Sequence, residues 1–257
     1  MKIEAVKTRL VHANEISLND LLAESIKTLP EDSIVAISSK VAALCEGRVV
    51  KKSETDLSQL IEHEAELFLD PSFRPQAQGK YFTINGNTLV SKAGIDESNV
   101  GENYYVLWPQ DLFATANNAR KFLREKFGLR DIGVIIIDSV SSPMRRGTRG
   151  DMIAWSGFEA VNNYVGSPDL FGRDFRAEMS GIGTSLAVAA NVVMGEGTEQ
   201  APLAIISDIN FVKFVSRKPS RRDIELAFVR FDDDIFMPFL RMLPWQEGGN
   251  YDNRIVK

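Results

Sequence analysis

The period of the hydrophobic pattern changes repeatedly along this chain. Residues 3–11 alternate loosely between apolar and polar and predict a strand. Residues 33–37, 133–137 and 203–206 are short, nearly unbroken apolar runs, as expected of strands buried on both faces. Shorter runs at 49–50 and 104–107 predict two more strands, the first entered through the turn Glu46-Gly47-Arg48. Asn85-Gly86 predicts a two-residue hairpin turn between strands at 81–84 and 88–90.

Helical spacing appears between these runs. Ser17 begins a capped helix that runs toward Leu29-Pro30. Asp56 opens an amphipathic helix predicted through Leu69, with Leu57, Leu60, Ile61, Ala65 and Phe68 on one side. Asp111 caps a helix carrying Leu112, Ala116, Ala119, Leu123 and Phe127, and Gly128 stops it. Residues 181–194 form a helix rich in Ala and Gly, which permits close backbone packing. Residues 70–80 and the segment around Pro143, Arg145, Arg146 and Gly147 read as loops. Asp232-Asp233-Asp234 reads as an acidic helix start, favourable to the helix dipole. No strict strand–helix–strand period and no repeat is present. The expected class is α+β (mixed α/β), one domain over residues 1–247 with two interleaved lobes, and a polar, frayed tail at 248–257.

Composition narrows the chemistry. The 257 residues carry 44% hydrophobic and 25% charged residues, as ordinary globular proteins do. A net charge of −5 argues against nucleic-acid or membrane-surface binding, although Arg217-Lys218-Pro219-Ser220-Arg221-Arg222 is locally basic. No apolar run approaches the roughly 20 residues of a membrane helix, and a secretory leader pattern is lacking at Met1-Lys2-Ile3-Glu4. The single cysteine, Cys45, excludes an internal disulfide framework and fits a reducing compartment, so a cytoplasmic location is expected. With only His12 and His63 available, histidine-rich metal sites and a Ser-His-Asp triad are disfavoured. Any metal would take oxygen ligands, which suits Mg or Mn.

Candidate chemistry gathers at the ends of predicted elements. In Gly94-Ile95-Asp96-Glu97-Ser98-Asn99-Val100, the Asp96 carboxylate is suited to a divalent metal and the Asn99 carboxamide to a phosphate or ribose; the same residues also make an ordinary turn. Asp138 ends an apolar strand, a position that serves either a metal ligand or a cap, and Ser139 beside it has the same two uses. Glu196, after Gly195, is either a third ligand or an exposed loop carboxylate. Ser38-Ser39-Lys40 offers hydroxyls and an ammonium to a phosphate without being a Walker A loop. Arg145, Arg146 and Arg149 are candidates to neutralise a polyphosphate, or form a solvated basic loop. Cys45 has no neighbouring base and reads as packing, and His63 as a surface residue.

The order and spacing of these segments resemble the coenzyme F-420-0:L-glutamate ligase family over roughly residues 33–210. The resemblance is carried by Ser38-Ser39-Lys40-Val41 with Cys45-Glu46-Gly47-Arg48, by 94–100, by Ile137-Asp138-Ser139 with Pro143, Arg145 and Gly147, by Asn163-Tyr164, Asp169 and Gly172, and by Val193-Met194-Gly195-Glu196 with Pro202. It implies an intertwined homodimer and a GTP- or ATP-dependent ligase that joins L-glutamate to a small-molecule acceptor through an acyl phosphate. It implies Mg or Mn on Asp96, Asp138, Ser139 and Glu196, and a monovalent cation such as K. Ser38, Ser39, Asn99, Met194 and Gly195 would contact the nucleotide, and Lys40 and Arg145 would supply catalytic positive charge.

The chain departs from the family pattern at Leu44, where a lysine is usual, at Ser141-Ser142, where Gly-Arg is usual, and at Thr184-Ser185 in place of an acidic pair. The resemblance implies an N-terminal nucleotide-contact segment near Thr8 to Val11, which is not recognisably family-like here. Two alternatives stand beside a deazaflavin-type acceptor. One is a folate-type glutamate ligase; the other is a non-catalytic nucleotide- or metal-binding homologue.

Overall fold

A computed structural model describes residues 1–70, 72, 81–101 and 103–256. In chain order the elements are β1 (Lys2–Val6), α1 (Leu18–Ser25), β2 (Ser33–Ser38), α2 (Ser39–Cys45), β3 (Val49–Lys51), α3 (Leu57–Glu64), β4 (Leu67–Leu69), β5 (Phe82–Asn85) and β6 (Thr88–Ser91). There follow β7 (Tyr104–Val106), α4 (Leu112–Phe127), β8 (Ile132–Ser141), β9 (Thr148–Ser156), β10 (Val161–Asn163), β11 (Met179–Gly181), α5 (Ile182–Met194), β12 (Leu203–Ser207), α6 (Arg221–Ala227), α7 (Met237–Leu240) and β13 (Gln246–Glu247).

Five strands form the main sheet in the order β1-β12-β2-β8-β9, with only β2 and β8 parallel. Their alternating side chains supply two cores, one on each face. Val35, Ile37, Val134 and Ile136 pack with Leu21 and Leu22 of α1 and Ala116, Ala119 and Leu123 of α4. Ile34, Ala36, Ile135 and Ile137 pack on the other side with Leu186, Ala187 and Ala190 of α5. The mixed α/β class expected from the sequence is what the structure shows. A second sheet, β13-β4-β5-β6, covers a smaller cluster that includes Ile61, Ala65, Phe68 and Tyr81.

Local departures from expectation have physical causes. The helix expected through Leu69 ends at Glu64, because Ala65 turns extended and Leu67–Leu69 pairs with β5. The hairpin turn falls one residue later than expected: Asn85 still pairs with Thr88, and Gly86 (φ 55°) and Asn87 (φ 53°) make the turn. Two successive left-handed residues are the signature of a type I′ turn. The loop expected around Pro143, Arg145, Arg146 and Gly147 is the turn at 142–147, and the strand expected at 133–137 runs on to Ser141, which pairs with Thr148 of β9. The strand expected at 3–11 stops at Val6. Instead of beginning a helix, Asp232 and Asp233 lie in a 3₁₀ turn. The predicted loop at 70–80 lies, except for Asp70 and Ser72, outside the described residues. Residues 248–256 are packed rather than frayed: Asn250 donates to Glu64 O at 2.8 Å, and Val256 is buried. Among the described residues no helix is long and apolar enough to cross a membrane.

Candidate active site

The parallel pair β2–β8 places Ser38 beside Ile137, so both strands deliver polar residues at the same edge. Ligands in α/β proteins gather at the carboxyl ends of parallel strands. Here that edge opens on a cavity of about 720 Å³. Ser38, Lys40, Asp96, Asn99, Asp138, Ser139, Met194, Gly195 and Glu196 all line it, although they come from four distant stretches of chain. Ser39 lies just behind the wall, its hydroxyl donating to Asp138 Oδ1 at 3.0 Å. Arg145 stands apart: it is on the exposed turn between β8 and β9, and its guanidinium donates to Met144 O at 3.1 Å. The hairpin pairing that extends β8 and β9 carries this arginine outward.

Each of the three carboxylates is held differently. Asp138 Oδ2 accepts from Trp108 Nε1 at 2.8 Å. Burial pushes the Asp138 carboxyl up to about 6, against the hydrogen bonds from Trp108 and Ser39, and the charge of Asp96 adds to the rise. Burial would raise Asp96 too, but Lys40 and the Ser98 donors outweigh it and hold its carboxyl below the usual range. Lys40 Nζ lies 2.7 Å from Asp96 Oδ2, and Asp96 Oδ1 accepts from Ser98 N at 2.8 Å and Ser98 Oγ at 2.9 Å. Glu196 takes the Ser139 hydroxyl at 2.7 Å and the Asn191 amide at 2.8 Å. Asn99 Nδ2 donates to Gly197 O at 2.9 Å, tying the Asp96 turn to the Glu196 loop.

The approach to Asp96 is strained. Lys92, Ala93 and Gly94 are successively left-handed, with φ of 54°, 53° and 81°. Such a conformation costs non-glycine residues roughly 1–2 kcal/mol each. Tertiary bonds hold it: Thr83 Oγ1 accepts from Ala93 N at 2.8 Å, and Asn85 Nδ2 donates to Ala93 O at 2.9 Å. Gly94 is also a point of close approach, since a Cβ there would lie 2.3 Å from the Trp108 indole. The glycine thus makes room for the ring that bonds Asp138.

The donor set is carboxylate, hydroxyl and carboxamide oxygen, which fits a hard divalent cation and not a soft one. Three carboxylates of like charge face one cavity, and one already draws an ammonium, so the site favours further positive charge. Among the described residues, the tight grouping of three acidic side chains lies elsewhere, at Glu31, Asp32 and Asp131. Asp96, Asp138 and Glu196 share a cavity wall without forming such a cluster.

Thr8, Arg9, Leu10 and Val11 line the same cavity although they lack the family pattern, and sequence reasoning passed over Asn191, which orients Glu196. It also passed over Trp108. Leu44 and Ser141, two of the departures from the family pattern, are part of the lining. Thr184 and Ser185 are not; the Ser185 hydroxyl donates to Gly181 O at 2.8 Å within α5. Cys45 is half-buried, and burial pushes its thiol up to about 12, consistent with packing.

Residues 5–208 match the sequence model of the family described as F420-0:Gamma-glutamyl ligase. Among similar curated proteins, the coenzyme F420:L-glutamate ligase of Methanopyrus kandleri is 32% identical over 201 residues, 73% of this chain and 79% of that protein. The protein of that name from Methanocaldococcus jannaschii is 31% identical over 209 residues, 76% of this chain and 82% of its own. That from Haloarcula marismortui is 31% identical over 195 residues, 75% and 73% respectively. The shared stretch takes in every residue of the cavity wall, and on that basis this chain belongs to the F420-0:gamma-glutamyl ligase family.

Proposed function

We propose that this protein is a ligase that joins the amine of L-glutamate to a carboxylate of a small-molecule acceptor, at the expense of GTP or ATP and with Mg or Mn. The observation that carries this reading is the convergence of Asp96, Asp138, Glu196, two serine hydroxyls, Asn99 and Lys40 on one cavity of about 720 Å³. The relatives, coenzyme F420:L-glutamate ligases by name, support glutamate as the amine and an acceptor of the coenzyme F420 type. A homodimer and a monovalent cation such as K belong to the same reading.

The chemistry must activate a carboxylate, because carboxylate and amine do not condense unaided in water. The γ-phosphoryl group passes to an acceptor carboxylate oxygen and nucleoside diphosphate leaves. The glutamate nitrogen then attacks the acyl carbon, the carbon–oxygen bond to phosphate breaks, and one amine proton is released. Mg or Mn held by Asp96, Asp138, Ser139 and Glu196 would neutralise charge on the phosphate oxygens. Ser38, Asn99 and the backbone at Met194-Gly195 border the space for the nucleotide. The Lys40 ammonium, fixed by Asp96 and Ser98, brings positive charge to the wall without needing an arginine from the exposed turn. No protein nucleophile is required, in keeping with the packed Cys45.

The test is phosphate release with GTP or ATP, Mg or Mn and glutamate, with and without each acceptor, followed by mass spectrometry of the acceptor. Gain of a glutamyl unit by the deazaflavin precursor supports the reading. The departures at Ser141-Ser142 and Thr184-Ser185 favour a second acceptor class, and glutamylation of a pteroate would select the folate-type reaction; Leu44 on the wall, in place of the usual lysine, favours the non-catalytic homologue. Nucleotide binding without turnover on any acceptor would select the non-catalytic homologue. Asp96→Asn and Asp138→Asn are each expected to abolish ligation with an unchanged circular dichroism spectrum, and a fully active variant would remove that residue from the site.

A further inference from the structure

A second cavity, of about 320 Å³, lies where residues 230–256 fold back over β4 and β5. Much of its wall follows residue 208, where the family match ends, so it is a feature of this chain's own C-terminal segment. Two opposite charges face it without meeting. Glu66 is only 3% exposed, and its carboxylate accepts from Gly86 N at 3.1 Å and Asn87 N at 3.4 Å. Among the described residues it has no ion-pair partner. Arg254 is anchored separately: its Nε donates to Tyr251 O at 2.9 Å, and its guanidinium lies 3.9 Å from the centre of the Tyr251 ring.

The two groups feel each other across the gap, since the Arg254 charge draws the Glu66 carboxyl down; burial is nevertheless the larger effect and pushes it up. A buried carboxylate without a countercharge is costly. Neighbouring charges are already engaged, Arg230 with Asp233 at 3.6 Å and Asp232 with Arg241 at 2.7 Å. The rest of the wall is mixed: Asn87 and the exposed Glu247 are polar, while Leu67, Ile84 and Val256 are apolar, and Phe231 and Trp245 lie edge to face at 6.1 Å. The volume is at the small end for ligand pockets, roughly 300–1,000 Å³.

We propose that this cavity binds a free α-amino acid with an apolar side chain, its ammonium on Glu66, its carboxylate on the Arg254 guanidinium and its side chain against Phe231 and Trp245. A zwitterion answers both fixed charges at once, whereas a simple amine or a simple acid leaves one of them uncompensated. The guanidinium N–H groups that have no hydrogen bond among the described residues suit a carboxylate. The proposal rests on nothing in the ligase reading, because the two cavities share no lining residue.

The test is isothermal titration of the full chain with L-leucine and L-phenylalanine, each also supplied as its N-acetyl derivative and its methyl ester. At least one free amino acid is expected to bind saturably, and blocking either end is expected to weaken it by about tenfold or more. Glu66→Gln and Arg254→Gln should each weaken it to a similar degree, while Asp96→Asn in the other cavity leaves it unchanged. Absence of saturable binding by both amino acids would overturn the proposal, as would equal binding of the blocked forms. The blocked ligands decide the matter on the unaltered chain even if a variant fails to fold.

Discussion

Trp108 shows how much of this site hangs on single residues outside the obvious chemistry. Its ring donates to Asp138, its carbonyl accepts from Arg48 Nε at 3.1 Å, and it occupies the space that Gly94 leaves open. Gly94→Ala places a methyl group into the indole and puts a Cβ on a backbone at φ 81°. The expected cost is about 1–3 kcal/mol of stability, with a shift in tryptophan emission and a loss of ligase turnover. Urea denaturation and fluorescence together check this; an unshifted spectrum would mean that the ring has not moved. Asp96, Asn99, Asp138 and Glu196 were legible in the sequence because each is a polar residue at the end of an apolar run or beside a glycine turn. Asn191 was not legible, because its place in the wall depends on contacts between distant segments, and neither was Trp108, which reaches the site only through its bond to Asp138.

At the scale of elements, α4 shows what local pattern conveys and what it omits. Asp111 caps it, accepting from Ala114 N at 2.9 Å, and it ends at Gly128 as its spacing predicted. Its apolar stripe contains a buried arginine that no periodicity announces. Arg120 is 4% exposed and donates to Ile132 O at 2.8 Å, Val215 O at 2.9 Å and Ser216 O at 3.4 Å. It therefore binds the helix to the buried start of β8 and to the partly exposed segment after β12. Arg120→Met is expected to cost about 2–4 kcal/mol, since those acceptors lose charged donors; an unchanged urea midpoint would contradict this. The helix once expected through Leu69 failed for a related reason. Its stripe at Ala65 and Phe68 is real, but Phe68 reaches the same cluster from β4, paired with β5, and Ala65 from the extended residue that ends α3.

That β4 segment also carries a pH-dependent strain. Burial raises Glu66 above its ordinary value of 4.5, so the folded protein resists its ionisation more than the unfolded chain does. Its contribution is therefore full below that ordinary value and is lost as pH rises toward the raised native value. Glu66→Gln keeps an acceptor oxygen for Gly86 N and removes the charge. The variant should have a higher urea midpoint than the parent at pH 7, with the difference shrinking as pH falls through the glutamate range. A constant difference across that range would show that the charge is not its source.

For the whole molecule, the main sheet and its two cores were largely readable, but the way the C-terminal segment closes the structure was not. Residues 209–257 lie beyond the family match, yet their end reaches the hairpin that leads to Asp96. Asn87 links the two: its Oδ1 accepts from Val256 N at 3.0 Å, and its Nδ2 donates to Val229 O at 3.2 Å. Ile255 and Trp108 both approach Gly86 of the same turn on the side where a Cβ would stand, so the closing segment and the ring that bonds Asp138 meet at this glycine. Polar tails usually fray because they have nothing to bury; this one buries Val256 and finds partners for its backbone. Asn87→Gly keeps the left-handed turn available while deleting both links. Loss of the two hydrogen bonds should cost about 1–3 kcal/mol and expose the Val256 amide to faster hydrogen exchange. If the hairpin is also braced by this contact, the variant should lose turnover while the exchange of α4 and α5 amides stays near that of the parent. Faster exchange at Val256 with full turnover would confine the tail to stability, whereas unchanged exchange would show that Asn87 does not hold it.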